Sequence, residues 1–358
     1  MRRLALFLAL VTPMVMPTLA EARFARIGSF PVTFQIQNTD RSKLVCGTDG
    51  ASYQIKGHIT GPKAKLPRSS RAKKAYVTLY LHGLSFGEWF WNPTSAAAAT
   101  LPSSVDYVRR QAEAGHVSVT IDRLGYDASG HPDGFKSCLG GQADIAHQVI
   151  QQLRSGSYSI TGRAPIRFRH IALAGHSIGG EIALIEAYSF RDIDALAVIS
   201  FSYQNLPFAQ VLFGSTYDIC TKGGEPADTG LPTGYAYYGP PAPGDFQSAM
   251  FHDASQAVLS GATPLRNRDP CGDANSIIPA LLQQGANLRN IKVPVLLICG
   301  TADRLFSPAG CNGQAARLTK SRKVTVESVR NAGHAITLDR GASTFRRKIG
   351  RWLQKRGF

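Results

Sequence analysis

The stretch His170-Ile-Ala-Leu-Ala-Gly-His-Ser177-Ile-Gly-Gly180 (HIALAGHSIGG) decides how the rest of the chain is read. His170–Ala174 is a short apolar run with the character of a strand, and Ile178 to Phe190 is long enough and apolar enough for a helix. Between them, Gly175-His176-Ser177-Ile178-Gly179 sets a serine on a sharp strand-to-helix turn. Larger residues two places either side of that serine would collide, and Gly175 and Gly179 remove the collision. The turn exposes Ser177 Oγ and aims the N–H groups of the helix N-terminus, that of Ile178 first, at an atom the serine attacks. The pentapeptide alone is a weak signal; the strand before it and the helix after it give it weight.

A serine hydroxyl is a poor nucleophile at neutral pH. It needs a base, and the base needs a carboxylate to orient it. The apolar run Val295–Cys299 is followed by Gly300-Thr-Ala-Asp303, and the run Lys323–Val329 by Asn331-Ala-Gly-His334. Both polar residues fall just beyond the carboxyl ends of strands, where open α/β sheets gather their sites. Asp303 is the candidate acid and His334 the candidate base, with Asp339 and Asp122 as rival acids. The strand Ala75–Leu81 runs into His82-Gly83-Leu84, and the Leu84 N–H is expected to join that of Ile178 in holding an oxyanion. Phe86, Trp89 and Trp91 follow as a candidate aromatic wall of a pocket.

Working outward, strands are expected at Phe30–Ile36 and Ala51–Thr60, able to pair antiparallel. From Ala75 strands and helices alternate: strand 75–81, helix 105–114, strand 117–121, helix 143–153, strand 170–174, helix 178–190 and strand 196–201. After Pro294 come strand, helix, strand and a final helix near 343–355. This pattern predicts an α/β fold: a mainly parallel central sheet with helices on both faces. The alternation breaks at 203–293, rich in Gly, Pro and Tyr, which reads as an inserted lid. Its Phe208, Leu212, Phe213, Tyr235, Tyr237 and Tyr238 exceed what a solvated loop needs; Phe213 and Tyr237 are candidate pocket residues.

Residues 1–22 read as a secretory signal peptide: Arg2-Arg3, the apolar run Leu4–Val11, and small-residue cleavage signatures ending at Ala20 and Ala22. The apolar run is too short for a spanning helix, so stable membrane insertion is not expected. Residues 23–358 then form the mature domain, extracellular and net +15 rather than +16 once Arg2, Arg3 and Glu21 are gone. Six cysteines suit export, and none is spaced for a zinc site. Cys299, inside an apolar strand, is expected to be a buried thiol. That leaves at most two bridges, and Cys220–Cys271 competes with pairings to Cys311.

The chain has 358 residues, 44% apolar and 18% charged, the composition of a folded protein that needs no metal for bulk stability. Forty Lys and Arg against twenty-four Asp and Glu favour weak association with anionic cell-wall or surface polymers. The basic runs at 63–74 and 346–356 lack any nucleic-acid-binding signature, so no nucleic-acid partner is expected.

LHGLSFGEWFW (81–91), DRLGYDASGHP (122–132), LAGHSIGG (173–180), PVLLICGTADRLFSP (294–308) and NAGHAITLD (331–339) occur in that order. On these motifs the chain resembles an α/β-hydrolase-fold serine hydrolase. More narrowly, Asp106–His131 resembles secreted fungal and actinobacterial α/β hydrolases with an aspartate-arginine-x-glycine loop. The resemblance implies Ser177 as nucleophile, Asp303 as acid, His334 as base, and a structural role for Asp122 and Arg123. It implies a small ester substrate with an apolar acyl or alcohol part, or a lactone, and no metal, nucleotide or organic cofactor. Related haloalkane dehalogenases and epoxide hydrolases carry Asp where this chain has Ser177, which argues against both. Thioesterase, peptidase and cofactor-free perhydrolase chemistry on the same three residues stay open, as does a non-catalytic binding protein on the same fold.

Overall fold

The computed structural model describes residues 27–66, 75–95, 100–226, 230–240 and 243–358. The signal-peptide reading of residues 1–22 and most of the basic run 63–74 lie outside them.

The strands are β1 Ile27–Gln37, β2 Ser52–Pro62, β3 Tyr76–Leu81, β4 Ser118–Ile121, β5 Ser159–Ile160, β6 His170–His176, β7 Ala195–Ile199, β8 Tyr235–Ala236, β9 Asp269–Pro270, β10 Val295–Gly300 and β11 Val324–Val329. Nine of them form one sheet in the order β11-β10-β7-β6-β3-β4-β2-β1-β5, and β8 pairs with β9 apart from it. From β4 to β11 every pairing is parallel, with Leu79 beside both Val119 and Leu173, and Leu297 beside both Val198 and Val326. The expected pair β1 and β2 is antiparallel, Phe30 facing Ile59, and β2 joins β4 antiparallel to extend the sheet. The two-residue β5 has too little pattern to be seen in the sequence.

The central strands are buried along their length, save for the first residues Tyr76 and His170, because helices cover them on both sides. Helix Leu139–Ser155 packs beside helix Ile178–Ser189, and Tyr107–Glu113 beside Ala342–Gln354. Asp106 caps the third of these, its carboxylate accepting the Arg109 N–H at 3.0 Å.

Residues 203–293 leave the sheet after β7 and return as β10, which pairs directly with β7, so this segment is an insertion between adjacent strands. It is helical rather than loop-like: Pro207–Thr221, Pro243–Met250, Gln256–Ala262, Cys271–Asn275 and Ile277–Asn287. A bridge between Cys220 and Cys271, Cα atoms 5.4 Å apart, ties its first long helix to its later ones. Closing a loop of that length removes roughly 4 kcal/mol of unfolded-chain entropy.

The remaining cysteines correct one expectation. Cys299 is buried as its strand required, but it is paired with Cys311, and Cys46 with Cys138, making three bridges. Helix Pro308–Ala315 folds back on the end of β10 and brings Cys311 to it. Burial in a strand does not distinguish a free thiol from half of a bridge.

Candidate active site

Ser177 stands between β6 and helix Ile178–Ser189 at φ 53° and ψ −127°, a region that costs a non-glycine residue about 1–3 kcal/mol. Neighbouring packing enforces it. A Cβ on Gly175 would lie 2.0 Å from the Gly179 carbonyl oxygen, and one on Gly179 would lie 2.6 Å from those of Leu81 and His82. The Ser177 N–H donates to the Ile199 carbonyl at 2.8 Å, and the Ser177 carbonyl accepts the Gly180 N–H at 2.7 Å. The N–H groups of Ile178 and Gly179 precede that first helical bond and have no intrahelical acceptor. A Cβ on Gly83 would lie 2.7 Å from Ser177 Cβ, so the loop carrying Leu84 passes directly against the serine.

Asp303 and His334 come together beyond the adjacent ends of β10 and β11. The His334 Nδ1–H donates to Asp303 Oδ2 at 2.9 Å, both side chains being buried. The second carboxylate oxygen of Asp303 accepts the N–H groups of Leu305 and Phe306, at 2.8 and 3.2 Å. Three donors engage the aspartate and fix its plane, and with Nδ1 carrying the hydrogen it donates, Nε2 of His334 is the nitrogen with a lone pair. The rival acids are engaged elsewhere. Asp339 accepts the Gly333 N–H at 2.5 Å, bracing the backbone before His334, and burial pushes its carboxyl up. Asp122 accepts the Glu88 N–H at 2.7 Å, and burial, then the charges of Asp127 and Glu88, push it well up.

His176, in the sequence only part of the turn, ties the residue before Ser177 to His334. Its Nε2–H donates to the His334 carbonyl at 2.9 Å, and the two rings lie 4.7 Å apart. Burial, then the nearby charge of His334, holds His176 neutral, which suits this single donation. Phe90 stacks on its ring at 4.3 Å and Phe86 meets it edge-on at 5.5 Å. Phe86, Trp89 and Trp91, expected in a pocket wall, are buried; Phe86 and Trp91 meet the His176 ring edge-on, and Trp89 packs on Phe86.

A cavity of about 200 Å³ lies on the other side. It is lined by Ile178, Phe201, Phe213, Tyr238, Ile277, Leu281 and Phe306 among others, with Asn205 and Gln210 as polar members, and none of the described residues lining it is charged. Ile178 is next to the serine, and Phe306 lies 5.7 Å from the His334 ring, so the cavity adjoins both. Phe213 lines it. Tyr237 instead faces the guanidinium groups of Arg266 and Arg268 at 4.5 and 5.2 Å.

A second buried network lies on the other flank of the serine. Arg123 donates to Asp273 at 2.8 Å, to the Tyr126 hydroxyl at 2.8 Å and to the His82 carbonyl at 3.1 Å. The Arg123 N–H donates to His82 Nε2 at 3.0 Å while His82 Nδ1–H donates to the Gly83 carbonyl at 2.8 Å, so His82 is neutral and locked. Asp269 and Asp273 belong to the insertion, which therefore grips the loop carrying Leu84. The motif 122–132 signals this network, but its partners, nearly 150 residues on, have no local signature.

Among the described residues, two further clusters bring metal-ligating groups together: Asp40, Cys46 and Cys138, and His147, Glu186 and Asp192. In the first the sulfurs are bonded to each other. In the second Glu186 sits on the last turn of the helix that Ser177 caps, remote from the serine.

The strand order, the strained serine and the acid–imidazole pair at adjoining strand ends define a class. The chain belongs to the alpha/beta hydrolase family, which residues 79–347 match. Among solved structures it is similar to a thermophilic esterase from Thermogutta terrifontis, at 15% identity and a TM-score of 0.58, over 90% of this chain and 98% of that one. It is also similar to a monoacylglycerol lipase from Paleococcus ferrophilus, at 20% identity and 0.56, over 78% and 93%. An enol-lactonase from Burkholderia xenovorans LB400 gives 15% identity and 0.57, over 84% and 97%. No protein of curated function matches the chain.

Proposed function

We propose that the protein is a serine carboxyl-ester hydrolase working through an acyl-enzyme on Ser177. The observation that carries this reading is the 2.9 Å bond from His334 to a triply held Asp303, beside a serine on a strained turn. His334 Nε2 takes the proton from Ser177 Oγ as that oxygen attacks the acyl carbonyl. Asp303 holds the imidazole in one tautomer and favours its charged form in the transition state. The N–H groups of Ile178 and Leu84 receive the oxyanion. The alcohol leaves with the proton from His334, and water activated by the same nitrogen releases the acid. The uncharged, apolar cavity beside Ile178 and Phe306 suits an uncharged acyl chain, and the esterase, lipase and lactonase neighbours support an ester or lactone substrate.

In this reading the insertion 203–293 is a lid that roofs the acyl pocket and keeps water from the acyl-enzyme. Export is the companion proposal: three bridges suit an oxidising compartment, and among the described residues no helix is long and apolar enough to cross a membrane. The test is labelling with a fluorophosphonate, expected on Ser177 and abolished by Ser177→Ala. A panel of acyl-length esters, lactones and thioesters then sets the preference. A protein that neither labels nor turns over any of them is a binding protein on this fold.

A further inference from the structure

Seven large hydrophobic side chains are strongly exposed among the described residues, and four sit on two helices of the insertion. Val211 is 65% exposed and Tyr217 44% on Pro207–Thr221; Ile278 is 49% and Leu282 78% on Ile277–Asn287. They are not scattered. Gln210, Val211, Gly214 and Tyr217 follow a 3–4 spacing along the open face of the first helix. Ile278, Leu282, Gly285 and Ala286 do the same on the second. The inward faces of the same two helices, with Ala209, Phe213, Ile277 and Leu281, line the apolar cavity beside Ile178. Gln210 and Ile278 belong to both the cavity lining and the exposed face, so the cavity opens onto this patch.

Charge sharpens the picture. The two helices, of 15 and 11 residues, carry one charged side chain, Asp218, in a chain where 18% of residues are charged. Cations stand at the rim. Exposed Arg289 continues the second face; exposed Arg317 reaches to 3.1 Å from where a Cβ on Gly285 would lie; exposed Arg304 covers the Phe208 ring at 4.1 Å. An apolar centre whose one charged side chain, Asp218, is paired with Lys222, with arginines at its edge and on a strongly basic chain, is complementary to a layer of acyl chains beneath anionic headgroups.

We propose that this patch docks the protein on an anionic phospholipid surface, from which an acyl ester enters the cavity without crossing water. The proposal rests on the esterase reading for the substrate, but the docking is readable without turnover. Ser177→Ala protein is to be sedimented with vesicles of phosphatidylglycerol and, separately, of phosphatidylcholine. Binding is expected to phosphatidylglycerol, weakened by salt and at least tenfold weaker to phosphatidylcholine. Val211→Glu with Leu282→Glu should reduce that affinity at least tenfold, and Leu282→Gln alone by a smaller factor. Arg289→Glu with Arg317→Glu should remove the preference for phosphatidylglycerol. In the Ser177 background, hydrolysis of a water-soluble short-chain ester should stay within twofold for all these variants, which shows that they fold. The proposal is overturned if the parent binds neither vesicle, if the glutamate variants bind as well as the parent, or if the two lipids bind equally. It is also overturned if the parent is a dimer that Val211→Glu and Leu282→Glu convert to monomer, since the patch would then be covered by a second copy. Loss of ester hydrolysis with vesicle binding intact would count against the esterase reading alone.

Discussion

The Ser85 N–H donates to the Asp269 carboxylate at 2.7 Å, while the Ser85 carbonyl accepts the Asn267 N–H at 3.0 Å. Both backbone groups of a buried residue held at φ 67° are thus satisfied by the inserted segment, and Ser85 follows the Leu84 N–H proposed for the oxyanion. Asp269→Ala orphans a buried N–H, which costs about 1–3 kcal/mol of stability. We expect it also to lower kcat at least tenfold with little change in KM, because the Leu84 N–H loses its fixed direction. Asp269→Asn keeps an acceptor and should recover most of kcat. Equal kcat in all three proteins would show that Ser85 is held well enough without this carboxylate.

Ser177→Ala removes only one oxygen from a buried position. Its melting temperature should stay close to that of the parent, while ester turnover falls by about 10³-fold or more, leaving the contribution of binding and oxyanion donors. Retention of more than a tenth of the parent rate would point to a different nucleophile.

Asp303→Asn should lower kcat by roughly 10⁴-fold with the fold preserved, since the amide can present its N–H₂ to His334 and favour the wrong tautomer. Asp339→Asn should act mainly on stability, because Asp339 braces the Gly333 N–H rather than the imidazole. A crippled Asp339→Asn beside a mild Asp303→Asn would reverse the assignment. Steady-state kinetics with thermal melts on both variants decides it.

The cavity separates two aromatic residues that looked alike in the sequence. Phe213→Ala enlarges a pocket that Phe213 lines and should shift the optimum among acyl chain lengths toward bulkier chains. Tyr237→Ala removes a ring packed on Arg266 and Arg268, and should leave that profile unchanged. A profile unmoved by Phe213→Ala would mean the acyl group sits elsewhere, against Phe86, Trp89 and Trp91.

What the sequence made legible was local. The turn at Ser177 announces itself through two glycines whose spacing is a steric requirement, and each central strand through an unbroken apolar run. Asp303 and His334 stand out because each follows such a run by a few residues, and β10 and β11 are neighbours. The segment 203–293 reads as an inserted lid, but its glycines and prolines hide the individual helices inside it. Contacts such as Arg123–Asp273 and Glu181–Gln284 join residues 150 and 103 positions apart, and depend on how those helices pack. Phe86 and Trp91 show the same limit: their aromatic character is plain in the sequence, but their packing on the ring of His176, about 85–90 residues on, has no local signature.

Glu181 ties the helix capped by Ser177 to helix Ile277–Asn287 of the insertion, accepting a hydrogen bond from the Gln284 amide. It is fully buried, and burial pushes its carboxyl up to about 8, against the pull of that hydrogen bond. The folded chain therefore keeps the Glu181 proton between the ordinary carboxylate range and about pH 8, while the unfolded chain has already released it. Over that window the folded state binds more protons, so this group's stabilisation is complete at low pH and is lost as the pH rises to about 8. The steepest slope for one proton is about 1.4 kcal/mol per pH unit. Glu181→Gln is neutral in both states and cannot contribute the slope. Denaturant titrations of parent and variant at pH 5, 6.5 and 8.5 should show the variant gaining on the parent at each step, whatever their order at pH 5. Other buried carboxyls with raised affinity for a proton, Asp269 among them, act equally on both proteins and cancel in the difference. A difference that stays flat across the three pH values would mean that Glu181 is already ionised in the folded protein at pH 5, held by partners beyond Gln284.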